Sequence, residues 1–395
     1  MAEIYFDNSA TTVLCNEAKS RMLEVIENIY GNPSSMHSKG VDAEKAVTKA
    51  RSEILSALGV KNISTLGDNR LIFTASGTEA DNLALFGTCF AKKFVPGKKL
   101  IISDSEHAAV LETAKKLEEY GFTVVKIPTY GGAFDYDRLE KEVDKNTVIV
   151  SVMLVNNETG AVNDIKKISR IVKAKNPDTV VHTDAVQGFM KMPLNVTNLG
   201  VDLVTLSSHK IHGPKGVGAL YVDPLIYKKR QLVPIIYGGG QEKGFRSGTE
   251  NTIGIAGFGG AVSEGVKTLP ADVGHMTELR DYICGKITES GRDLGIKLNI
   301  PQCQRAAHIV SITLPQIKSE TMLHFLSSKN IFVSSGSACS SNAGHISKTL
   351  VNFGLTESEA DSTIRVSLGA SNTFEEADYF ISALLEGAEK LVTKK

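Results

Sequence analysis

The 395-residue chain is expected to fold as an α/β protein with a large domain built on a mostly parallel sheet, followed by a smaller C-terminal α/β domain. Two observations predict this. From about residue 70 to 225, short β-rich runs alternate with helical patterns of ordinary length, the signature of a parallel sheet covered by helices on both faces. After about residue 262 the texture changes to a long helical stretch, "DVGHMTELRDYICGKITESG", and then to short strands and helices. The boundaries expected are 15–262 for the large domain, with 1–14 returning to join 263–395 in the small one.

The elements run in a consistent order. "NRLIFTASG" leads into the helical "TEADNLALFGTCFAKKF", and "KKLIISDSEH" into "AAVLETAKKLEEYGF". "TVIVSVMLV" leads through "NNETGAVN" into "DIKKISRIVKAKN", and then come "TVVHTDAVQ", "VDLVTLSSHK" and "GVGALYVD". In sheets of this kind ligands bind outside the carboxyl ends of the strands, and most of the polar clusters fall there.

Composition narrows the function classes. The formal net charge is zero and no basic stripe is visible, so a nucleic-acid partner is not expected. The longest apolar runs have strand length, well short of the roughly 20 residues that span a bilayer, so no membrane association is expected either. The acidic start "MAEIYFDNSA" has no apolar core of a signal peptide,. Five scattered cysteines without a C-x-x-C pair argue against a disulfide framework and a zinc site, and for a reducing cytoplasm,.

The strand ends carry the candidate chemistry. In "LVTLSSHKIHGPKG" an apolar strand ends in Ser207, His209 and Lys210. Lys210 is either a surface lysine or, partly buried, a lysine that bonds a carbonyl. Asp184 ends the strand of "VVHTDAVQG", with Gln187 three residues on. A carboxylate there caps a helix or keeps a pyridinium nitrogen protonated, as pyridoxal phosphate requires. "FTASGTEADN" brings Gly77 and Thr78 to a helix N-terminus, an anion site suited to phosphate that also reads as an ordinary helix start,. Neither a nucleotide P-loop nor a dinucleotide glycine fingerprint is present,.

His107 in "SDSEHAAV" is structural or stacks on a flat ring, and Asn156 and Asn157 in "NNETG" form a turn or line the site,. Arg246 and Thr249 lie in a polar, Gly-rich loop. Arg365, inside "STIRVSLG", is a surface ion pair or a clamp for a substrate carboxylate,. Cys339 sits in "VSSGSACSSNAGH", a run whose small polar neighbours read as a loop, where a cysteine is idle or chemically employed,.

Together these segments, from "YFDNSATT" and "GNPSSMHSKG" to "IRVSLGASNT", resemble the cysteine desulfurases among the fold-type I, class V pyridoxal-phosphate enzymes. "SSGSAC" places the likeness in the NifS/IscS-like group. The resemblance implies a seven-stranded large-domain sheet and a pyridoxal 5'-phosphate cofactor bound covalently by Lys210. It implies that Asp184 pairs with the pyridinium, Gln187 with the phenolic oxygen, and that His107 stacks on the ring. Gly77, Thr78, Ser207 and His209 would bind the phosphate, with Thr249 reaching the phosphate of the partner in a homodimer. Asn157 and Arg365, helped by Asn32, would hold L-cysteine, and Cys339 would take its sulfur as a persulfide for an acceptor protein. Beyond "SSGSACSS" the chain reads "NAGHISKTL", unlike the family's usual segment, which leaves the acceptor open. Two other readings are a selenocysteine lyase of the same superfamily and a non-catalytic cofactor-binding scaffold.

Overall fold

The structure is a computed structural model that describes residues 3–64, 68–91, 98–335 and 346–392. Thirteen strands are found among these residues. Strand β1 (Ile4–Tyr5) lies near the start. The next seven are β2 (Leu71–Thr74), β3 (Lys99–Ser103), β4 (Thr123–Ile127), β5 (Thr147–Ser151), β6 (Val180–Asp184), β7 (Leu203–Ser207) and β8 (Gly218–Val222). They form one sheet in the order β2-β8-β7-β6-β5-β3-β4. Strands β4, β3, β5, β6 and β7 pair in parallel, and β8 runs antiparallel to both β7 and β2.

The sheet is buried on both faces, which is why its strands read as near-continuous apolar runs. Alternate residues serve different layers. Ile101, Val150, Val181 and Val204 pack with Val47, Ile54 and Phe258 from helices Ser38–Ala57 and Thr252–Ser290. Leu100, Ile149, Val180 and Leu203 face the other way, onto Leu83, Ala84 and Val110 from helices Gly77–Ala91 and Ala108–Glu119. His182 and Asp184 share the period of Val180, so both point toward the Gly77–Ala91 side.

The remaining strands are β9 (Lys297–Leu298), β10 (Ile309–Thr313), β11 (Ile331–Phe332), β12 (Ser334–Ser335) and β13 (Thr363–Ser367). Four of them make a sheet in the order β12-β13-β10-β9, and β11 pairs in parallel with β1. A separate apolar cluster joins Ile4 and Phe6 to Ile312, Val366, Phe380 and Leu384. The 39-residue helix Thr252–Ser290 runs through both cores, with Ile255 and Phe258 in the first and Leu279 and Ile283 in the second. No described helix is long and apolar enough to cross a membrane.

Candidate active site

The carboxyl ends of β6 and β7 and the start of helix Gly77–Ala91 surround a cavity of about 260 Å³. Ten of the residues singled out in the sequence line it: Gly77, Thr78, His107, Asn157, Asp184, Gln187, Ser207, His209, Lys210 and Arg365. Asn32 and Thr249 are exposed and do not line it. Cys339 lies outside the described residues.

Lys210 ends a short 3-10 turn, Ser208–Lys210, directly after β7. Gly213 closes that turn, since a Cβ there would lie 2.1 Å from Ser208 Oγ. The segment following β1 ties the turn down: Thr12 N donates to His209 O at 3.0 Å, and Cys15 N to His212 O at 2.9 Å. Lys210 Nζ donates to Ser9 O at 2.6 Å and to Ala10 O at 2.7 Å. The lysine is thus aimed by two carbonyls about 200 residues away in the chain, a contact that no local pattern reveals.

In the same cavity Asp184 Oδ1 accepts from Val186 N at 2.8 Å. Burial pushes its carboxyl up, while the charges of His107 and Lys210 and the bond from Val186 oppose the rise. Gln187 is buried; its Nε2 donates to Ser9 O at 2.9 Å, and its Oε1 has no partner among the described residues. His107 caps helix Ala108–Glu119, its Nδ1 accepting from Ala109 N at 3.1 Å. That bond places the proton of the neutral ring on Nε2. The capping and cavity-lining readings of His107 are therefore compatible.

Thr78 opens helix Gly77–Ala91, whose first N–H groups face the cavity end,. Gly77 allows close approach: a Cβ there would meet Val186 at 3.0 Å and Ser207 Cβ at 3.3 Å. His209 Nδ1 lies 3.3 Å from Thr11 Oγ1, and burial pushes its imidazole down to about 4, so the ring is neutral near pH 7.

Arg365 is no surface residue; only 4% of it is exposed. From β13 its Nη1 donates to Asn157 O and its Nη2 to Asp7 Oδ1, both at 2.9 Å. Its Nε has no partner among the described residues. Asn156 makes the turn: its Nδ2 donates to Ser105 O, and its Oδ1 accepts from Glu158 N and Thr159 N. The loop residue Arg246 instead pairs with Glu79 at 2.8 Å.

Sequence reasoning missed a layer of buried polar groups below Asp184. Asp81, one turn into the first cavity helix, lines the same cavity with 1% exposure, and its Oδ1 has no hydrogen-bond partner among the described residues. His182 lies 3.6 Å from that oxygen, with Nδ1 2.8 Å from Ser151 Oγ and Nε2 3.0 Å from Thr205 Oγ1. Burial drives His182 down to about 3, and pushes Asp81 up with the Asp184 charge adding to it. Glu106, holding Ser103 Oγ and Met153 N, is pushed up to about 8 by burial. Burial pushes all three carboxyls up, and only at Asp184 do the charges of His107 and Lys210 oppose the rise. The sequence signal was present as polar residues inside apolar runs, but it did not show that they converge.

A lysine and a carboxylate lining one cavity, with a helix N-terminus at its side, are groups that suit a flat, anionic carbonyl cofactor. The chain belongs to the aminotransferase class-V family, whose model matches residues 4–380. It is 38% identical over 392 residues to the cysteine desulfurase IscS of Dictyoglomus turgidum, covering 99% of this chain and 96% of that relative. Among solved structures, a NifS-like protein superposes with a TM-score of 0.88 at 35% identity, covering 98% of this chain and 99% of that one. SspA in complex with cysteine superposes with a TM-score of 0.78 at 30% identity, covering 94% and 100%.

Proposed function

We propose that this chain is a pyridoxal-phosphate-dependent cysteine desulfurase that converts L-cysteine to L-alanine and holds the sulfur as a persulfide on Cys339. One observation carries the reading: ten sequence-chosen residues line one cavity, with Lys210 and Asp184 both facing into it. The partnerless Gln187 Oε1 and Arg365 Nε, together with the close approach allowed at Gly77, fit a polar ligand lying between them.

When bound, pyridoxal phosphate supplies a protonated ring that withdraws electrons from the substrate Cα. Asp184 would hold a proton on the pyridine nitrogen, Gln187 would offer its amide N–H to the phenolic oxygen, and the His107 ring would lie against the cofactor. Gly77, Thr78, Ser207 and His209 receive the phosphate. Lys210 would hold the cofactor aldehyde, and its Nζ would be the base for the substrate's α-proton. Arg365, with Asn157 and the less central Asn32, orients the substrate carboxylate. Cys339, assigned from sequence alone, attacks the γ-sulfur as a thiolate; the S–S bond forms as the C–S bond breaks.

The exposed position of Thr249 fits a role on the partner's phosphate in a homodimer. Exposed apolar residues Leu23, Ile26, Tyr30, Met36 and Tyr237 supply a surface for that contact,. A cytoplasmic location and an acceptor protein in iron–sulfur cluster assembly or another sulfur pathway complete the reading.

The test is to add pyridoxal phosphate and L-cysteine and follow colour, alanine and sulfide. The reading expects a coloured protein that forms alanine, and a Cys339→Ala variant that keeps the colour and loses sulfur transfer. Protein that stays colourless, or unchanged sulfide release by the variant, contradicts it.

A further inference from the structure

Lys210 also lines a second, smaller cavity of about 50 Å³, which Asp184 does not line. Lys191 and Lys210 both line it, with Asn8, Thr12, His212 and Asp272 among the other walls. Lys191 is 7% exposed, and its Nζ has no hydrogen-bond partner among the described residues. No carboxylate among these residues lies within ion-pair distance of it. A buried lysine in that position is unusual, because an unpaired ammonium costs several kcal/mol to desolvate, of order the penalty for any buried ion.

Its surroundings sharpen the point. The charged and titratable groups that face Lys191 are Lys210, Arg365, His209, His212, His308 and Asp272. Two of them are cations, and burial makes the three imidazoles poorer bases. Asp272 is the single carboxylate of the set, and its Oδ2 accepts from Thr268. Burial first, and then the charges of Lys210 and Arg365, push Lys191 down to about 7. Lys210, by contrast, donates to two carbonyl oxygens, which favours its ammonium form. One amine is therefore stabilised with its proton and the other without.

We propose that Lys191 is a relay residue acting through Lys210: its buried amine accepts, across the shared cavity, the proton that Lys210 must lose before its Nζ can react. The step balances as Lys210–NH3+ plus Lys191–NH2 giving Lys210–NH2 plus Lys191–NH3+. A cavity of about 50 Å³ with Asn8, Thr12 and His212 in its walls has room and polar partners for a water, so the transfer needs no direct contact between the amines,. An acceptor titrating near the working pH is the efficient choice for such a transfer, and a lysine beside a second cationic group is a recognised way to obtain a reactive amine. The inference rests on Lys210 being the residue that binds the cofactor aldehyde.

The experiment follows capture of pyridoxal phosphate by the cofactor-free protein, trapped with borohydride, as a function of pH for wild type and Lys191→Met. The variant is expected to capture roughly tenfold or more slowly at pH 7, with the gap closing at high pH, where hydroxide removes the proton from Lys210. Equal rates across the pH range overturn the proposal. Through-bond assigned lysine NMR of the wild type gives a second test that needs no variant. Lys191 should titrate close to neutral pH, whereas an amine that stays charged above about pH 9, in the ordinary lysine range, overturns the proposal. Failure of the wild type to take up the aldehyde at all contradicts the cofactor reading and leaves the NMR titration to decide the fate of Lys191.

Discussion

The two cavities that Lys210 lines, the front one shared with Asp184 and the rear one with Lys191, present opposite electrostatic environments. The front holds three buried carboxyls, Asp184, Asp81 and Glu106, all pushed up by burial. The rear holds Lys191 and the buried His308, both pushed down. Desolvation acts on both, but it moves acids and bases in opposite directions. Neighbours then separate the acids: at Asp184 the charges of His107 and Lys210 oppose the rise, whereas at Asp81 the Asp184 charge adds to it. The contrast teaches that the charged groups in this site are selected by their neighbours and not by residue type.

The largest effect expected comes from removing the residue between the two regions. Lys210→Ala should lower alanine formation by about ten-thousandfold, because both the covalent anchor and the base are lost; single-turnover assays with added amine check this. Asp184→Asn keeps an acceptor for Val186 N but removes the charge, and should reduce kcat roughly hundredfold. If Asp81 could replace Asp184, the loss would be slight and the contrast between the two carboxyls would fail. Arg365→Lys loses the fork that reaches Asn157 O and Asp7 together. It should raise KM for L-cysteine about tenfold with a smaller change in kcat.

Buried acids and bases, even within the layer below Asp184, also predict opposite pH slopes of stability. Glu106, at about 8 when folded, binds its proton more tightly than in the unfolded chain. Its contribution is therefore fully present below the ordinary glutamate range and is lost as pH rises toward 8. Glu106→Gln should flatten that decline in thermal melts between pH 5 and about 8. His182, at about 3 when folded, behaves in reverse: its contribution is full above the ordinary histidine range and is lost as pH falls toward 3,. The smallest effect should come from the surface. Lys297 meets Glu359 at 2.8 Å in an exposed pair, and Lys297→Ala should change stability by no more than about 1 kcal/mol, falling further with added salt.

Strand order along the chain, the strand-end positions of Asp184, Ser207 and Lys210, and the cofactor class were legible because each depends on a local pattern. The charge in β13 was legible as an anomaly, but its partner was not, since Asp7 lies 358 residues away from Arg365. The same limit hid the carbonyls of Ser9 and Ala10 that aim Lys210, and the meeting of Asp81 with His182. Lys191 reads locally as a solvent-facing lysine; its burial beside Asn8, Met276 and Leu368, all distant in the chain, shows only in the structure. Asn32 and Thr249 were chosen by resemblance, and both lie away from the cavity of their own chain.

The central claim is that sulfur leaves L-cysteine for Cys339 at a site organised by Lys210 and Asp184. Mass spectrometry of the cofactor-loaded protein after brief exposure to L-cysteine tests it most directly. The account predicts a gain of one or more sulfur atoms on the peptide carrying Cys339, with alanine formed alongside. Alanine formed with no sulfur on that peptide, or sulfur found on Cys15, Cys284 or Cys303 instead, would contradict it.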